Sequence, residues 1–85
     1  MSENLVKIGE VTHFFSNINV AVIELSGAIT IGDEILIIGA TSDFSQKVES
    51  MQIEHEQVKE AKSGDDIGLK VIERVRRGDE VFKKV

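Results

Sequence analysis

Ile29-Thr30-Ile31-Gly32-Asp33-Glu34-Ile35-Leu36-Ile37-Ile38-Gly39 reads as a turn feeding an apolar strand. Glycine reaches positive φ without a Cβ clash, aspartate folds its carboxylate back onto nearby backbone N–H groups, and the branched residues that follow favour an extended, half-buried backbone. The same unit returns as Gly64-Asp65-Asp66-Ile67 and Gly78-Asp79-Glu80-Val81, so a strand-launching turn is used three times in 85 residues. The flanks lack the alternating oxygen ligands of a calcium loop, which assigns the aspartates to turn chemistry and not to a metal.

Upstream of this stretch, Leu5 to Phe15 alternates in its first half, with Val6 and Ile8 on one face and Lys7 on the other. Gly9-Glu10 then interrupts, and Val11, His13 and Phe15 take the opposite phase, which predicts a bent or bulged strand. Ser16-Asn17 predicts a turn, and Ile18 to Leu25 is apolar on both faces over its middle, as a strand inside a closed or sandwiched sheet would be. Downstream, Phe44 is the one large apolar group of the Ala40 to Ser45 loop, expected to fold back as a plug on the barrel mouth. Residues 46–62 are ambiguous. Val48, Met51, His55 and Val58 fall at near-helical spacing among helix-forming residues, while Val48, Met51 and Ile53 also fit an extended segment with one irregularity. Ile67, Leu69 and Val71 share a strand face, and Val81-Phe82 opens the last strand. Short strands at these intervals, Gly-Asp turns and no proline predict one all-β domain over residues 1–85, a small antiparallel barrel.

Composition narrows the chemistry. With no cysteine there is no thiolate nucleophile or disulfide, and with no tryptophan, no tyrosine and four phenylalanines the surface is poor in stacking groups. Ten basic against fifteen acidic residues give a net charge of −5, which opposes indiscriminate attraction to phosphate. The charge is unevenly placed: residues 1–69 hold four basic and twelve acidic groups, and residues 70–85 hold six basic and three acidic. Met1-Ser2-Glu3-Asn4 leads into no long apolar run, and the apolar runs present are far shorter than the roughly 20 residues that span a bilayer. The expectation is a cytoplasmic protein without a membrane partner.

Gly27-x-Ile29-x-Ile31-Gly32-Asp33-Glu34-Ile35-x-Ile37-x-Gly39, followed by Ala61-x-x-Gly64-Asp65-x-Ile67-Gly68-Leu69 and Arg77-Gly78, resembles the β-barrel second domain of translational GTPases such as elongation factor Tu, over about residues 7–83. Through Val11-Thr12-His13-Phe14-Phe15 and Val48-Glu49-Ser50-Met51 the chain is also similar to small free-standing prokaryotic proteins called translation elongation factor-like, and to the C-terminal barrel of collagenase-like peptidases. The resemblance implies a Greek-key-like barrel of six to seven strands, with a strand within residues 46–54. Ser16-Asn17-Ile18-Asn19 stands where the elongation factor carries a Gly-Arg-Gly-Thr stretch of its aminoacyl pocket, so that binding is not carried over. Gly27-x4-Gly32 has phosphate-loop spacing, but Asp33-Glu34 stands where Lys and Ser or Thr would hold phosphate and magnesium, so no nucleotide and no cofactor is expected.

His13 and His55 have no metal-ligand spacing, and no serine has an assigned base or oxyanion donors; no catalytic or metal residue is predicted. Lys70, Arg74, Arg76, Arg77, Lys83 and Lys84 are the remaining constellation. Arginines chelate phosphate oxygens, and translation-factor barrels dock on structured RNA, so these six residues are the candidate RNA contact. The leading expectation is a non-enzymatic binding module for ribosome, structured RNA or a translation protein. The alternative, implied by the second resemblance, is an accessory barrel acting in trans with a collagenase-like, peptidase-type enzyme, through contacts made largely by acidic residues 1–69.

Overall fold

The three Gly-Asp turns are near copies of one another in the computed structural model, which describes residues 4–85; Met1-Ser2-Glu3 lies outside them. Gly32, Gly64 and Gly78 have φ of 95°, 96° and 96°, a region that side-chain-bearing residues avoid. In each turn the aspartate N–H donates to the carbonyl three residues back, and the aspartate carboxylate accepts that residue's N–H: Thr30 N to Asp33 Oδ2 at 2.8 Å, Lys62 N to Asp65 Oδ2 at 3.1 Å and Arg76 N to Asp79 Oδ2 at 2.9 Å.

Each turn is then stapled to a distant strand or its flank by a second reciprocal pair. Gly32 N donates to Val48 O and Val48 N to Asp33 O; Gly64 N donates to Leu25 O and Leu25 N to Asp65 O; Gly78 N donates to Val11 O and Val11 N to Asp79 O, all between 2.8 and 3.0 Å. Val48, Leu25 and Val11 are all buried, so every staple fixes a core side chain as well as a backbone segment.

Ten strands result among the described residues: β1 (Leu5–Phe15), β2 (Val20–Leu25), β3 (Ile29–Thr30), β4 (Glu34–Ile38), β5 (Asp43–Lys47), β6 (Met51–Ile53), β7 (Glu56–Val58), β8 (Glu60–Ala61), β9 (Asp66–Lys70) and β10 (Glu80–Lys84). Six of them, β1, β2, β4, β5, β9 and β10, have five or more residues, and the other four are fragments of two or three. All pairings are antiparallel, in one sheet of order β5-β4-β10-β1-β2-β9-β6-β7 and a two-stranded sheet of β3 and β8. The fold is thus the small antiparallel β-barrel that the turns predict. Edge strand β5 is tied to the segment after β9 by the Gln46 amide, which donates to Lys70 O at 3.0 Å and accepts from Ile72 N at 2.9 Å. No helix among the described residues is long and apolar enough to cross a membrane.

The ambiguity of residues 46–62 is resolved, and two local expectations need correction. Residues 46–62 hold no helix: they form the end of β5, the β6–β7 hairpin and β8. Phe44 is a core residue of β5 paired with Ile37, because the strand starts at Asp43 and the loop ends earlier than expected. The bulge in β1 is double. One irregularity between Lys7 and Gly9 turns Ile8 inward and leaves Val6 exposed; the other, between Val11 and His13, sets Thr12 aside and turns Phe14 towards the core. His13 and Phe15 therefore face outward, their rings 4.4 Å apart.

Asp79 is the one Gly-Asp carboxylate that is buried, where Ser42 Oγ joins Arg76 N as a donor to Oδ2. Gly39 packs against the same carboxylate, leaving no room for a Cβ. Around β10, charges pair at the exposed or half-buried surface: Lys7 Nζ lies 3.0 Å from Glu80, Lys83 Nζ 3.8 Å from Asp33, and Lys84 Nζ 2.6 Å from Glu34. The hydrogen bond from Lys84 holds the Glu34 carboxyl below its ordinary value of 4.5, helped by the charges of Lys84 and Lys47 and opposed by slight desolvation.

Two predictions follow from these carboxylates. Urea unfolding of Asp79→Ala is expected to show a loss of about 2–4 kcal/mol, since two donors lose a buried acceptor, against about 0.5–1.5 kcal/mol for Asp33→Ala or Asp65→Ala, where water replaces it. Equal losses at all three would contradict the role of burial. Because the folded pKa of Glu34 is depressed, its pair with Lys84 stabilises the fold above the unfolded carboxylate pKa and fades as pH falls through the folded value. NMR titration of the Glu34 carboxyl should show its midpoint rising in Lys84→Met; an unchanged midpoint would refute the pairing.

Candidate functional site

Cross-strand register decides which side chains share the outer face of β1, β2, β9 and β6. Residues paired across a ladder point the same way, so three rows stand side by side. The first is Phe15, Val20 and Lys70; the second is His13, Val22, Gly68 and Gln52; the third is Glu10, Glu24 and Asp66. The face therefore runs from an aromatic and basic end, across a middle in which Val22 and Gly68 lie between His13 and Gln52, to a row of three carboxylates.

In the middle lies a cleft of about 270 Å³, floored by Gly68, Val20 and Val22 and walled by Phe15 and Ile18 on one side and Gln52, Glu54 and His55 on the other. Phe15 and Ile18 remain 43% and 55% exposed. Glu54 and His55 form the two-residue turn between β6 and β7, with φ of 50° and 68°. Such a turn is normally made by Asn-Gly, and holding two ordinary residues there costs roughly 1 kcal/mol each. A larger opening of about 520 Å³ lies beside Gln46, Lys70 and Ile72, but the Gln46 amide already occupies the backbone groups there.

The carboxylate row has an electrostatic cost. Glu24 lies directly opposite both Glu10 and Asp66, and like charges at such positions destabilise a sheet by a few tenths of a kcal/mol to about 1 kcal/mol each. Lys7, at 4.0 Å from Glu10, offsets one member. Among the described residues Glu24 and Asp66 have no ion pair, and no three acidic or histidine side chains are grouped to hold a metal ion.

The six basic residues singled out in the sequence occupy three parts of the fold. Lys70 stands on the outer face beside Val20. Arg74, Arg76 and Arg77 are exposed in the loop that leaves β9 and ends at the Gly78-Asp79 turn, and they have no carboxylate partner among the described residues. Lys83 and Lys84 sit at the far end of β10, engaged with Asp33 and Glu34. His13 and His55 are both exposed, His13 on β1 and His55 in the turn between β6 and β7. The sequence reading missed the carboxylate row because the strand pairing that aligns Glu10, Glu24 and Asp66 is not visible in any one segment.

No protein-family profile matches the chain. It is 45% identical over 78 residues to an uncharacterized protease of Methanocaldococcus jannaschii, with 91% of this chain and 19% of that protein covered. It is 38% identical over 80 residues to a collagenase of Porphyromonas gingivalis, with 92% of this chain and 19% of the collagenase covered. Among solved structures, the C-terminal domain of a Geobacillus thermoleovorans protein described as a U32 peptidase superposes with a TM-score of 0.87 at 18% identity, covering 93% of this chain and 92% of that domain. Its selenomethionine variant gives 0.86 at the same identity, over 89% and 96%. These relatives lend no support to a translation factor or to ribosome binding. The chain spans about a fifth of the length of the curated relatives that it matches; it is homologous to that part of collagenase-like proteins and has the fold of a U32 peptidase C-terminal domain.

Proposed function

We propose that this barrel is a non-enzymatic accessory module that docks on a collagenase-like, peptidase-type catalytic partner and acts with it in trans. The observation that carries the reading is the 45% identity to one segment, 19% of the length, of a protease. The same fold has been crystallised as a C-terminal domain without the rest of its peptidase-type chain, which fits a unit that supplies recognition while chemistry resides elsewhere. The contact would be made by the acidic body of the barrel, where twelve of the fifteen carboxylates lie. Complementary charge would then steer association and set its salt dependence more than its ultimate affinity.

The test is to express the Methanocaldococcus jannaschii protease without the matched segment, mix it with this chain, and follow complex formation by size-exclusion chromatography with light scattering. A one-to-one complex that survives nuclease is expected, unaffected by Arg74→Glu, Arg76→Glu and Arg77→Glu together. No complex at micromolar concentrations, or a salt-labile RNA complex lost in that triple variant, would overturn the proposal in favour of phosphate recognition.

A further inference from the structure

Two features of the outer face are unfavourable for folding and sit next to each other. Gly68 lies in the interior of β9, where glycine weakens a strand relative to alanine. Nothing in the fold demands it: its φ is not in the left-handed region, and an added Cβ would meet only Val20 Cγ1 at 3.5 Å and Gln52 O at 4.0 Å, ordinary contacts. Gly9 is different, since a Cβ there would strike Ile23 and the Glu24 carbonyl, so that glycine is explained by close packing of β1 on β2. The second unfavourable feature is the Glu10-Glu24-Asp66 row, one step along the same strands from Gly68. An occupant that lays its backbone over Gly68 and brings positive charge to the carboxylates accounts for both.

We propose that the cleft over Gly68 is a docking site for an extended peptide segment of a partner protein, with an apolar side chain seated on Val20 and Val22 and a flanking lysine or arginine facing Glu24 and Asp66. The outer row of carboxylates repels phosphate, which argues for peptide over nucleic acid or an anionic lipid surface. Phe15 and Ile18 close one side of the cleft, and the Glu54-His55 turn closes the other with one more carboxylate. The proposal stands apart from the accessory-module reading, because the barrel alone would bind such a segment from any source.

The probe is a capped Gly-Lys-Leu-Lys-Gly peptide, with Gly-Glu-Leu-Glu-Gly as its charge-reversed control, titrated into the ¹⁵N-labelled full chain. Saturable shifts at the amides of Val22, Asp66 and Gly68 are expected with the lysine peptide, and at least tenfold weaker binding with the control. Gly68→Val fills the cleft and is expected to abolish binding while keeping or raising Tm, since a β-branched residue suits a strand. Glu24→Lys converts two repulsions into attractions; it is expected to raise Tm and weaken binding at least threefold, so the proposal remains testable if the valine variant fails to fold. Equal binding of both peptides, shifts confined to another face, or unchanged affinity in a folded Gly68→Val or Glu24→Lys variant would overturn it.

Discussion

A reciprocal pair of backbone hydrogen bonds, made three times, holds this barrel together. Each Gly-Asp turn offers an N–H from its glycine and a carbonyl from its aspartate to one buried residue of a distant segment, Val48, Leu25 or Val11. Glycine supplies the positive φ that aims the two groups in parallel, and the aspartate carboxylate locks the turn from within. An 85-residue chain without disulfides has a small core, so fixing the strand ends through backbone bonds to buried residues gives it order that side-chain packing alone would supply less well. The third turn has the most contacts of its carboxylate, because Asp79 also receives Ser42 and leaves no room beside Gly39.

Stability gained at the staples allows unfavourable chemistry on the outer face. A strand-interior glycine, Asp66 at the end of the carboxylate row and a hairpin turn of two ordinary residues with positive φ line one cleft, and Glu24 and Glu10 continue the row beside it. Local violations of folding preference that cluster on one surface are the pattern expected where a protein trades stability for binding. The homology to part of a protease and the fold of a peptidase-type C-terminal domain suit the same picture, in which the barrel recognises and another domain reacts.

What the sequence makes legible is what is encoded locally. Gly32-Asp33, Gly64-Asp65 and Gly78-Asp79 announce three turns, and the aliphatic runs behind them announce strands. The β6–β7 hairpin is not legible by periodicity, since Glu54-His55 carries none of the glycine or asparagine that usually marks such a turn, and its flanks are helix-forming residues. Thr12 gives no sign that it will bulge and reverse the phase of His13, Phe14 and Phe15. Val75, fully buried in a loop rich in arginine, is hidden by its neighbours. The carboxylate row and the scatter of the six basic residues depend on strand pairing between distant segments, which charge counting along the chain cannot reveal.

Three staples of this kind should make the barrel one cooperative unit and the outer face a rigid platform. Native-state amide hydrogen exchange of Val11, Leu25 and Val48, measured against the β2 and β9 amides under increasing denaturant, tests it most directly. All three staple amides are expected to exchange with the free energy of global unfolding, together with Ile23 and Leu69 in the core strands. Exchange of any staple amide through a lower-energy, denaturant-independent opening, with β2 and β9 still protected, would contradict it.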